Sequence, residues 1–214
     1  MLMLAFSSPE LDIKGITAVA GNVPLSLTQR NARLLCELAG RTDIPVFAGC
    51  VRPMVRELLT AEDIHGKQGI SIEIREPAMP LQEQHAVDFL VDSLMKQELA
   101  LVFAGPLTNL AMALVKEPRI RSQIKEIVIM GGASKGGNAS PCAEFNILVD
   151  PHAAHVVFQS GRPLVVMPLD VTHQALTSAE RLKMVAAIAR KVARAVHSIL
   201  EIYYNRGPDG GPLH

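Results

Sequence analysis

A chain of 214 residues that is 49% hydrophobic, with a mean hydropathy of +0.23, carries enough apolar material for one sizeable core and little length for a second. Lysine plus arginine and aspartate plus glutamate both number 21, so the charge balance points to neither nucleic acid nor an anionic membrane as partner. The cysteines, Cys36, Cys50 and Cys142, have no CxxC or metal-type spacing, which argues against a secreted disulfide scaffold and for a reducing cytoplasm.

The opening MLMLAFSSPELD has an apolar run of only about six residues and no basic flank, too short for a signal peptide or a spanning helix. It reads as the end of a buried helix. Residues 12–20 (DIKGITAVA) read as a strand ending at Gly21-Asn22, and Leu25 to Leu38 carries Leu27, Leu34, Leu35 and Leu38 at helical spacing before Gly40. Pro45 to Cys50 is a short buried strand. The segment from Val51 to Gln82, with Pro53, Pro77 and Pro80, reads as mostly loop, and loops of that length are often functional.

Glu83 to Lys96 is a helix with Ala86, Phe89, Leu90 and Leu94 inward, followed by a strand from Leu99 to Ala104 and a short helix from Thr108 to Val115. Ile124 to Met130 is the next strand, Pro151 to Gln159 the next helix, and Leu164 to Asp170 another strand. Thr177 with Glu180 forms a capping box for a helix running to about Tyr204, whose stripe Val185, Ile188, Val192, Val196 and Ile199 is core packing. Runs such as IVIM and LVVM lack polar alternation, as parallel strands covered on both faces do. The order predicts a Rossmann-like three-layer α/β/α domain over 1–214 with a mostly parallel central sheet.

The densest chemistry lies in MGGASKGGNASPCAEFNILVDP, Met130 to Pro151. It follows a strand's carboxyl end, where such folds place ligands, and Asp150-Pro151 reads as a helix cap with proline at the first helical position. Amides and carboxylates there suit an uncharged polyhydroxylated ligand such as a sugar. The glycine pairs lack GxGxxG or a following lysine-serine, so a phosphate loop is disfavoured. If the segment around Phe145 is strand-like, Glu144 and Asn146 point to one side. His152 and His155 lie roughly on one helical face, but nothing nearby completes a zinc site. Cys142 lies in this loop without a positioned base, so alkylation there would disturb binding rather than remove a nucleophile.

In order, TAVAGN (17–22), FAGPLTN (103–109), IVIMGG (127–132), GNASPCAEFNILVDPHAAH (137–155), LDVTHQA (169–175) and GGPLH (210–214) closely resemble the inosine-uridine-preferring nucleoside hydrolases. The resemblance covers essentially the whole chain. It implies hydrolysis of the N-glycosidic bond of purine or pyrimidine ribonucleosides to free base and ribose, around a calcium ion whose bound water attacks the anomeric carbon. By position, Asn22 contacts the ribose, Met130 packs beside the sugar, and Asn138, Glu144 and Asn146 hydrogen-bond its hydroxyls, with Phe145 between them. Ala104 occupies the position whose backbone carbonyl ligates calcium, His65 belongs to the family's mobile substrate loop, and His214 matches the histidine proposed to protonate the leaving base. An oxocarbenium-like transition state needs such a density of acceptors around the ribose.

The family's aspartate-rich DxDPGxDDA motif, which supplies metal ligands and the catalytic base, has no counterpart in this sequence, nor has the aspartate that follows GGPLH in the family. The expectation is therefore a chain with material missing at both ends, holding calcium weakly or not at all, with a gap or raw edge where the first strand belongs. It is further expected to associate with its own kind and to bind no nucleic acid or membrane. DPHAA for DPEAA, and Pro168 where glycine is usual, are lesser departures. The alternative reading is a catalytically inactive, ribose- or nucleoside-binding relative. A dinucleotide binder would need a phosphate fingerprint that the sequence lacks.

Overall fold

The computed structural model describes residues 1–72 and 74–205. In chain order the elements are α1 (Leu2–Phe6), β1 (Ile16–Ala18), α2 (Leu25–Ala39), β2 (Val46–Ala48), α3 (Glu62–His65), α4 (Ala86–Lys96), β3 (Leu99–Phe103) and α5 (Thr108–Lys116). A 3-10 turn (Pro118–Gln123) leads into β4 (Ile124–Met130), α6 (Phe145–Val149), α7 (Pro151–Phe158), β5 (Leu164–Met167), α8 (Leu169–Thr172), α9 (Ala179–Ala186) and α10 (Lys191–Tyr204).

All strand pairing is parallel, as expected of β-α repeats, but it falls into two sheets. β1 pairs with β2, and β3, β4 and β5 form the other sheet in that order. Among the described residues β1 and β3 share no ladder, so each leaves one edge unpaired. The expected interruption of the sheet is thus present, between the strand carrying Ile16–Ala18 and the one carrying Leu99–Phe103.

Burial follows the same division. The main core joins Leu101, Ile127 and Ile129 of the larger sheet to Leu90 and Leu94 of α4, Leu110 and Leu114 of α5, and Val157 of α7. Two smaller clusters serve the β1–β2 sheet, one around Cys36 and Val46, the other around Ala18, Ala20 and Leu25. The Phe47 ring of β2 stacks on Phe89 of α4, centroids 3.8 Å apart, and gives the two halves an apolar contact. Among the described residues, helices do not cover both faces of β3. Val102 is 60% exposed while its neighbour Leu101 is 7% exposed, because α4, α5 and α7 join the core that Leu101 faces.

Several expected boundaries move for identifiable reasons. The strand from Leu164 stops at Met167, because Pro168 has no N–H to donate and the chain turns into α8. The capping box at Thr177 is displaced by one residue: Ser178 accepts the Arg181 amide (3.2 Å), whereas Thr177 is fully buried with its hydroxyl unpartnered. The single long helix to Tyr204 is two, α9 and α10, separated at residues 187–190, and Ile188 at that break is 48% exposed and not core. No strand runs through Phe145: Glu144 caps a short helix there by accepting the Ile147 amide. Glutamate is not among the favoured N-caps, but here its carboxylate reaches the N3 amide, and that bond lets FNILV take the helix over an extended conformation.

Asp150 caps α7 as expected, and does more. Oδ1 accepts from the Ala153 amide (3.0 Å), while Oδ2 accepts from the Thr108 hydroxyl (2.7 Å) and the Met54 amide (2.9 Å). The residue is fully buried. Replacing it with alanine strands all of these donors, and each buried unsatisfied group costs about 1–3 kcal/mol. Asp150→Ala is therefore predicted to lower unfolding free energy by about 3 kcal/mol in a urea titration; a loss below about 1 kcal/mol would show that water replaces the carboxylate.

Candidate ribose-binding site

The site is assembled at the carboxyl ends of the parallel strands. Met130 closes β4, whose register with β3 sets Ile129 beside Phe103, so that Met130 and Ala104 are the next residues along on adjacent chains. After Met130 the chain makes a loop from Gly131 to Ala143 and returns as α6. A side chain at Gly137 would overlap the backbone of Ala143, so the hairpin-like fold of this loop needs glycine. Asn138 N–H and Ala139 N–H then both donate to the Ala143 carbonyl (3.2 and 3.1 Å).

This fold brings five of the sequence-predicted residues into one group. Glu144, 3% exposed, accepts from Gly132 N–H (3.0 Å) and Ile147 N–H (3.2 Å), both on Oε2. Asn146, 8% exposed, donates Nδ2 to the Met130 carbonyl (3.1 Å) and lies 3.4 Å from its sulfur. Asn138 Oδ1 accepts from Phe145 N–H (2.9 Å). Each polar side chain is thus fixed through one atom. Among the described residues Glu144 Oε1, Asn146 Oδ1 and Asn138 Nδ2 make no hydrogen bond, leaving two acceptors and a donor for a ligand. A vicinal diol, donor and acceptor at each oxygen, matches that set.

Asn22 reaches the same end of the molecule from the other side of the sheet interruption, next to the β3 end that carries Ala104. A Cβ on Gly21 would overlap the Pro106 ring, and one on Gly105 would lie 3.7 Å from Val19 Cγ1, so the β1 and β3 ends touch. The Asn22 carbonyl accepts from Ala61 N–H (2.9 Å) and so anchors the start of α3. His65 ends that helix, and its Nδ1 is 3.1 Å from the Tyr203 hydroxyl of α10. His214 lies outside the described residues.

Sequence reasoning missed several contributors. Asn109 and Gly49, which join the strand ends, stood in ordinary-looking segments, although FAGPLTN contains Asn109. Asp170 ends an expected strand and stands in the LDVTHQA motif without an assigned role, yet its Oδ2 accepts from Ser134 N–H (2.7 Å) in the loop after β4. That bond holds the Asp170 carboxyl below the usual range. A lowered folded-state value means the interaction is complete above the ordinary carboxylate pKa and is lost as pH falls through the lowered one. The Ser134 amide resonance is accordingly predicted to stay constant from neutral pH down through the ordinary carboxylate range and to move only in stronger acid.

Cysteine environments diverge too. Burial, followed by the nearby Asp150 charge, pushes the Cys50 thiol up to about 11, and burial does the same for Cys36, whereas Cys142 is exposed in the site loop. At pH 8 a maleimide is predicted to label Cys142 alone in the folded protein, read by mass spectrometry. Rapid labelling of Cys50 would contradict this burial.

The residues present do not fit a divalent metal. Among the described residues no three His, Cys, Asp or Glu side chains gather closely enough to hold an ion, and one carbonyl at Ala104 falls far short of the six to eight oxygens a hard cation such as calcium takes.

The family model for inosine-uridine preferring nucleoside hydrolases matches residues 1–214. The chain belongs to that family. Its members hydrolyse nucleosides to base and ribose and bind a metal. Over 222 aligned positions the chain is 47% identical to an uncharacterized protein of Schizosaccharomyces pombe, covering 99% of this chain and 72% of the relative. It is 43% identical to the pyrimidine-specific ribonucleoside hydrolase RihA of Photobacterium profundum, covering 100% and 72%. Among solved structures, a purine-preferring ribonucleoside hydrolase from Gardnerella vaginalis superposes with a TM-score of 0.90 at 33% identity, covering 100% of this chain and 72% of that one. A plant nucleoside hydrolase does so with a TM-score of 0.88 at 32% identity, covering 100% and 70%. The α/β nucleoside hydrolase fold expected from the motifs is therefore the one observed.

Proposed function

We propose that this chain, as one nucleoside hydrolase-like domain, binds the ribose of purine and pyrimidine ribonucleosides between the β4–α6 loop and the ends of β1 and β3. The observation that carries the reading is the group formed by Asn138, Glu144 and Asn146, each locked through one atom with another left to meet a hydroxyl. Met130 and Phe145 supply the apolar walls, Asn22 approaches from β1, and His65 and His214 serve the base. The 43% identical relative is named pyrimidine-specific and the structural neighbour purine-preferring, so uridine and inosine are both substrates to test.

Cleavage of an N-ribosidic bond spreads positive charge over the anomeric carbon and ring oxygen. A buried carboxylate such as Glu144, already desolvated and held by backbone amides, needs no reorganisation to stabilise that charge. Asn146 and Asn138 orient the hydroxyls so that bond breaking occurs in one geometry. His214 protonates the departing base. In the family a bound metal, calcium on this reading, supplies an activated water. The described side chains do not provide its carboxylates, and no step here is routed through it. Self-association and a cytoplasmic setting accompany the proposal; among the described residues no helix is long and apolar enough to cross a membrane.

The second reading, ribonucleoside binding without turnover, is favoured by the absence of a metal-holding cluster among the described residues. Base release from uridine and inosine, with and without calcium, is measured beside calorimetric binding of the same nucleosides. Release that Glu144→Gln lowers by about 10–100-fold is the result expected of the hydrolase, matching a charge-assisted hydrogen bond worth about 1.5–3 kcal/mol. Saturable binding with no release at any calcium concentration would establish the second reading. No binding at all would overturn both.

A further inference from the structure

The proposed ribose site is drawn from two sheets that share no strand pairing, and its precision depends on what holds them in register. Asn22 follows β1, whereas Met130, Asn138, Glu144 and Asn146 belong to β4, the loop after it and α6 with its cap. We propose that Asn109, in the first turn of α5, is the positioning residue that sets Asn22 against the ribose group. This rests on the ribose-binding reading above.

Asn109 is 2% exposed and uses both ends of its amide. Nδ2 donates to the Ala18 carbonyl at the end of β1 (2.9 Å), and Oδ1 accepts from Cys50 N–H just after β2 (2.9 Å). One side chain therefore satisfies backbone groups at both strand ends of the smaller sheet. Its own backbone sits in α5, which follows β3 by a short turn and packs in the core of the larger sheet. Gly49 makes the approach possible: a Cβ there would overlap both the Asn109 amide and the Ala18 carbonyl. Its neighbour Thr108 faces the other way, onto Asp150 and hence the α6–α7 junction. Ala18 and Asn22 are four positions apart, as are Ala104 and Thr108. A shift at the Asn109 amide is therefore passed to both sides of the site through short lengths of chain.

Asparagine is specific to this task. Aspartate lacks the donor and would set a carboxylate against the Ala18 carbonyl, leucine leaves a buried N–H and C=O unpaired, and glutamine is one methylene too long for the space Gly49 leaves.

Binding of uridine and of ribose is measured by calorimetry on the wild-type chain and on Asn109→Ala, Asn22→Ala, Glu144→Ala and the two double variants, each confirmed folded by circular dichroism at the assay temperature. If Asn109 acts through Asn22, Asn109→Ala weakens binding by about tenfold, and adding it to Asn22→Ala weakens binding by less than about twofold further. Combined with Glu144→Ala its effect multiplies in full. A general loss of structure would multiply with both. Asn109→Asp, which keeps the acceptor for Cys50 N–H, replaces Asn109→Ala if the latter does not fold. Full multiplication with Asn22→Ala, or unchanged binding in the Asn109 variant while Asn22→Ala and Glu144→Ala both lose affinity, overturns the inference. Unchanged binding in Glu144→Ala overturns instead the ribose reading on which it stands.

Discussion

The first turn of α5 is where the two sheets become one molecule. Thr108 reaches the buried Asp150 and Asn109 reaches the ends of β1 and β2, so adjacent residues tie opposite sides of the structure. Apolar contact between the halves, such as Phe47 on Phe89, supplies attraction without direction. Hydrogen bonds buried in low dielectric supply direction, and leaving one unmade is costly. Asp150 extends the same network, since its carboxylate also accepts the Met54 amide from the connection after β2. Arg56 in that connection donates to the Leu148 carbonyl of α6 at 2.6 Å.

From this frame the ribose group acquires its rigidity. Glu144 is at once the cap of α6 and, on the proposed reading, an acceptor for the ribose, and the two roles use different oxygens. Its two backbone amide bonds offset the desolvation of a carboxylate that is 3% exposed. Asn146 repeats the device by donating to Met130 and keeping its carbonyl free. A site built this way is organised before ligand arrives, which is the condition for electrostatic stabilisation of a developing cation. Among the described residues no such organisation gathers side chains for a metal, whose ligands must converge as several oxygens on one point.

Much of this was legible in the chain. The β-α order, the capping of α7 by Asp150 and Pro151, and the strand ending at Met130 all follow from local pattern and from motifs in a fixed order. Local signals failed where two outcomes were close in energy. FNILV can be strand or helix, and the Glu144 cap decided it. Thr177 and Ser178 both make acceptable caps, and the one whose hydroxyl reached Arg181 N–H prevailed. Met167 to Asp170 continues as an apolar run, yet Pro168 ends the ladder.

By itself the sequence determined the fold class and the family, because period, turn chemistry and motif order act over a few residues each. The tertiary structure alone decided where the expected interruption falls, between β1 and β3, and that β3 keeps one exposed face. It alone decided that Asn109 and Asp150, far apart in the chain from the groups they bind, hold the parts in register. Hydrogen bonds between residues 91 and 96 positions apart leave no periodicity to read. They exist only once the strands have brought their ends together.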